Sequence, residues 1–111
     1  MTDALTLLNK NALPIAQKTL AAASVGAGYT IIGSGFTTPM LMVIIISTLD
    51  QAVQFSWDGV TDAFPVVAGA TIIIDLKSDN IPLPAGYAPY VKQLGVPTTG
   101  LIYVGGFSSA G

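Results

Sequence analysis

Residues 40–76 constrain the fold of this chain more than any other stretch. They read MLMVIIISTLDQAVQFSWDGVTDAFPVVAGATIIIDL, with strand-like runs separated by Asp58-Gly59 and Ala68-Gly69. Residues 43–46 are all β-branched, which disfavours a helix and suits a pleated surface. Residues 52–57 alternate: Val53, Phe55 and Trp57 on one side, Gln54 and Ser56 on the other. That is the period-2 pattern of a half-buried strand. Glycine tolerates the positive φ that tight turns demand, so Asp58-Gly59 and Ala68-Gly69 read as turns. The runs are more apolar than one buried face requires. The surplus predicts that a second face is also covered, by other copies or by a larger assembly.

The same alternation places the other elements. Residues 29–32 form a short strand, and Gly33-Ser34-Gly35 a loop. Residues 40–48 read as a buried strand. Residues 64–67 are a strand that Pro65 assigns to an edge or a strand start, and residues 71–76 are the next. Residues 77–86 are a loop, residues 87–94 a strand interrupted by Pro89, and residues 97–100 a turn with Gly100. In the last strand, residues 101–107, Leu101 and Tyr103 face one side, with Ile102 and Val104 on the other. Both sides are apolar, so both are expected to be covered. Residues 15–23 fit helix or strand, because Ala21-Ala22-Ala23 favours helix on propensity.

About seven to eight short strands at this spacing predict an all-β, antiparallel β-sandwich of jelly-roll-like form. One domain over residues 15–111 follows, preceded by an N-terminal arm over residues 1–14. The arm carries Leu5, Leu7 and Leu8, awkward on a free tail and suited to docking on a neighbour.

Charge narrows the function. Of 111 residues only 9% are charged, while 51% are hydrophobic, and the net charge is −2. Soluble domains carry about 25% charged residues. Such a chain is expected either in a membrane or in an assembly. The longest unbroken apolar run, residues 39–46, is far short of the roughly 20 residues of a spanning helix. The first residues lack the basic start and apolar block of a secretory signal, so synthesis in the cytoplasm is expected. With no Arg and four Lys, the chain has no basic stripe for nucleic acid.

Catalysis has little to draw on. There is no His, Cys, Glu or Arg, so serines lack the usual activating base. Asp58 and Asp62 could form an acid–base pair or bind calcium, but their spacing lacks the calcium-loop pattern. Turn formation by Asp58 explains it better. Gly26-Ala27-Gly28 and Gly33-Ser34-Gly35 lack the phosphate-loop pattern. Trp57, Tyr87 and Tyr90 could line a sugar platform, although aromatics at strand spacing are more often core. No enzyme activity, cofactor or metal is expected.

Several segments together resemble a known group. They are Tyr29-Thr30-Ile31-Ile32-Gly33, Val53-Gln54-Phe55-Ser56-Trp57-Asp58-Gly59, Val67-Ala68-Gly69, and Thr99-Gly100-Leu101-Ile102-Tyr103-Val104. The pattern, over about residues 17–107, resembles the small β-sandwich structural proteins of tailed bacteriophage virions. Trp57 stands where that group more often has Phe, and the loop 77–86 is short. The resemblance implies a strand over residues 15–23 and a non-enzymatic role in the virion. The resemblance does not by itself place the protein within the virion; the leading expectation is a capsid decoration (cement) or head-associated protein, made in the host cytoplasm. Its partners would be other copies of itself and the major capsid or other virion proteins, with neither nucleic acid nor membrane. A tail, neck or fibre-attachment protein is the alternative, and a carbohydrate-binding module the alternative of another class. The expected contact residues are Leu5, Leu8, Met40, Met42, Ile44, Ile102 and Val104. Asp58, Gly59, Gly69 and Gly100 are expected to shape turns.

Overall fold

A computed structural model describes residues 13–75 and 86–108. Among these residues nine strands follow one another: β1 (Leu13–Pro14), β2 (Lys18–Ala21), β3 (Thr30–Ile31), β4 (Met40–Ser47), β5 (Val53–Ser56), β6 (Phe64–Val66), β7 (Thr71–Asp75), β8 (Tyr90–Gln93) and β9 (Leu101–Ser108). They form two antiparallel sheets. In sheet one, β1 and β2 both pair with the same edge of β9, which continues to β4 and then β7. β1 and β2 thus fill one strand position, and the sheet is four positions wide. Sheet two runs β3-β8-β5-β6.

The pairings are nested. β2 pairs with β9, β3 with β8, β4 with β7 and β5 with β6, each antiparallel. The chain is therefore one long hairpin with its tip between β5 and β6. Two further pairings, β4 with β9 and β5 with β8, roll that hairpin into two layers. This is the jelly-roll form of the β-sandwich, as the spacing of apolar runs and turns predicts.

Each layer contributes alternate side chains to one core. Sheet one supplies Val43, Ile45, Ile102 and Val104, and sheet two supplies Val53, Phe55, Val66 and Val91, all fully buried. Phe55 stacks on Phe64 at 4.9 Å between ring centroids, and Trp57 meets Phe55 edge-on at 4.8 Å. Both are favoured aromatic geometries. Pro65 lies on β6, an edge strand, where its missing N–H costs no ladder bond.

Some local readings change. Within residues 15–23 the strand β2 takes only Lys18–Ala21, and a 3-10 turn follows at Ala22–Ser24, so Ala22 and Ala23 adopt helical form before the chain crosses to sheet two. The strand expected over residues 87–94 starts only at Tyr90, because Pro89 lacks an N–H to donate. β4 is buried on one face only; its other face is partly open. The sheet begins at Leu13, whose partner is Ser108, so residues 13 and 14 of the expected arm belong to the fold.

Candidate interaction surface

The outer faces of the two sheets differ in chemistry. On sheet two the loop over residues 57–63 folds back on the strands. Gly59, at φ +80°, sits against the Tyr90 ring, and a Cβ there would lie 3.1 Å from it. Ser56 ends β5 fully buried. Its hydroxyl accepts from the Gly59 amide at 3.0 Å and donates to Asp58 Oδ1 at 2.9 Å. That carboxylate also accepts from the amides of Val60 at 2.9 Å and Thr61 at 2.8 Å. The amides of Thr61 and Val60, then the Ser56 hydroxyl, hold Asp58 down at about 2.

Asp62, at the end of that loop, accepts from the Tyr29 hydroxyl and pairs with Lys92 at 3.3 Å. The Tyr29 hydrogen bond, followed by Lys92, lowers the Asp62 pKa. Lys92 also stands 4.7 Å over the Tyr29 ring. Partial removal from water, then the bond to Asp62, pushes Tyr29 up to about 12. The two carboxylates that could have suggested acid–base or calcium chemistry are thus engaged in fastening a loop. Trp57 and Tyr87 do come together, lining a shallow hollow of about 270 Å³ with Asp58, Thr61, Asp62 and Ala63. Tyr90 is not part of it, being packed against Gly59.

The outer face of sheet one has no such cover among the described residues. Cross-strand register defines it in rows. Ile46 lies between Thr71 and Tyr103, Ile44 between Ile73 and Gly105, and Met42 between Asp75 and Phe107. Leu101 extends the face beside Ala21. Ile73 is 62% exposed, Ile46 41% and Phe107 39%. Leu101, Tyr103, Met42 and Ile44 are half-buried. Asp75, at the end of β7, is the one charged residue in these rows. A sandwich face exposed to water normally alternates to polar residues; this one is apolar on both sides of its central strands.

Of the residues expected at an interface, Met42 and Ile44 are on this face. Met40, Ile102 and Val104 are not: they are at most 1% exposed and belong to the core. For Met40 the cause is a bulge. The register skips between Met40 and Met42, so Leu41 is an extra residue and Met40 turns inward, paired with Ser108. Ile102 and Val104 take the inward parity of β9, leaving Leu101, Tyr103, Gly105 and Phe107 outside. Leu5 and Leu8 lie outside the described residues. Ile46, Leu101, Tyr103 and Phe107 belong to the apolar stretches 40–46 and 101–107 expected to make contact, and Ile73 lies outside them; period-2 alternation cannot choose a side when both are apolar. Gly59, Gly69 and Gly100 all have positive φ, at +80°, +74° and +95°.

Comparison with protein-family models, with curated proteins and with solved structures gives no match.

Proposed function

We propose that this protein is a structural component of a tailed-bacteriophage virion, a capsid decoration or other head-associated protein, that works by protein–protein contact. The observation that carries the reading is the apolar outer face of sheet one, on a chain with few charges. Apolar burial contributes about 25 cal/mol per Å² before association costs, and a face repeated over many copies in a particle multiplies that gain. The jelly roll agrees with the reading, since this architecture recurs in viral coats, as it does in lectins. The resemblance in residues 17–107 points the same way.

The test is localisation. Antibodies raised against the purified protein are applied to phage particles from the source culture and viewed by electron microscopy. Dense labelling of heads, with many copies per particle on quantitative gels, is expected. Sparse labelling at one vertex or on the tail would shift the assignment to a neck, tail or fibre-attachment role. Particles that lack the protein overturn the proposal.

A further inference from the structure

We infer that the outer face of sheet one docks on the same face of a second copy, about a two-fold axis running along β4. This rests on reading that face as an assembly surface and adds the partner and the geometry.

The face carries a knob and a notch in one row. Ile73 on β7 is the most exposed of its large apolar residues, at 62%. Gly105 on β9 stands two strands away in the same row, with Ile44 between them. A Cβ built at Gly105 meets nothing within 4 Å, so position 105 is open space flanked along the strand by Tyr103 and Phe107. A two-fold axis parallel to β4 and passing over Ile44 exchanges the β7 side of one copy with the β9 side of the other. It therefore seats Ile73 of each copy over Gly105 of its partner, twice, and brings the two Ile44 side chains together. An axis across the strands would instead set Ile73 against Ile73. Either axis gives an isologous contact; only the first sets the exposed Ile73 over the open position at Gly105 rather than against another Ile73.

Charge permits the contact. Asp75 is at the end of β7, and sheets packed within about 30° of each other splay at their ends, so its carboxylate stays at the rim. Area sets the strength. Strands about 4.8 Å apart, rising about 3.3 Å per residue, make the overlap of β9, β4 and β7 with their counterparts, six residues long, roughly 300 Å² in projection. A standard interface takes about 800 Å² of accessible surface per partner. The pair is therefore weak by itself and gains strength when copies are held near one another on a particle.

Sedimentation velocity of the full chain, over concentrations reaching the millimolar range, tests this with three variants. Gly105→Val fills the notch and is expected to weaken association about tenfold or more, with the thermal midpoint unchanged or raised. Ile73→Ala removes the knob and is expected to act similarly. The double variant Ile73→Ala/Gly105→Val moves the knob to the other strand, keeps the total side-chain carbon, and is expected to restore association. Association unaffected by the single variants, or not restored in the double, overturns the pairing. So does a monomer at every concentration, which would leave the face to another virion protein or to residues 1–12. The virion reading fails separately, on unlabelled particles, whatever the sedimentation result.

Discussion

Gly106 lies directly against the carbonyl oxygen of Met42 across the β4–β9 pairing, leaving no room for a Cβ. Its φ of +142° is one that other residues rarely adopt. Its neighbour Gly105 has neither restriction. Gly106→Ala is therefore expected to cost at least about 2 kcal/mol in urea unfolding, from strain and collision together. Gly105→Ala is expected to be neutral or stabilising by up to about 1 kcal/mol, since glycine is the poorer strand residue. Equal effects at the two positions would contradict the register described here.

Phe55 carries the aromatic centre of the core, touching both Phe64 and Trp57. Phe55→Ala is expected to cost about 3–5 kcal/mol, a large part of the roughly 5–15 kcal/mol of a typical domain. Trp57 is the one tryptophan, so its fluorescence reports both the unfolding midpoint and the local repacking. A loss below about 1 kcal/mol would mean the ring is not a core element.

Stability is expected to be flat between about pH 4 and pH 10 and to fall on both sides. Asp58 is held at about 2, below its ordinary 3.8. Its contribution is full above 3.8 and is lost as the pH falls through about 2. Asp50 and Asp62 are shifted in the same direction and add to the acid arm. Tyr29 is raised from 10.0 to about 12, so its contribution is full below 10 and lost as the pH rises through 12. Thermal midpoints against pH check this. Asp58→Asn should flatten the acid arm and shrink the alkaline arm only slightly, because the Asp58 charge is the smallest of the causes that raise Tyr29.

Asp50 fastens the loop before β9. Its carboxylate accepts from the Thr98 amide at 2.8 Å, the Thr98 hydroxyl at 2.6 Å and the Thr99 amide at 3.3 Å. Asp50→Ala is expected to speed hydrogen exchange at the Thr98 and Thr99 amides, with core amides such as Val104 unchanged. A global rise in exchange would instead make Asp50 part of the cooperative core.

Most strands and turns are legible in local residue patterns. β-branched and alternating runs placed β4, β5, β7 and β9, and Asp58-Gly59 and Ala68-Gly69 placed turns, because these signals are local and depend on sterics alone. The sequence also reveals a surplus of apolar surface. Where that surplus goes depends on long-range strand pairing. Residues 101–107 are apolar on both sides, so their inward parity follows from pairing with β4 and from the tight fit of Gly106 on Met42. The bulge at Leu41 reverses the facing of Met40, and no alternation rule foresees a bulge. Ile73 and Gly105 are 32 positions apart, and they share a row only because β7 and β9 flank β4. Alternation gives a strand two faces, and long-range register decides which one meets water.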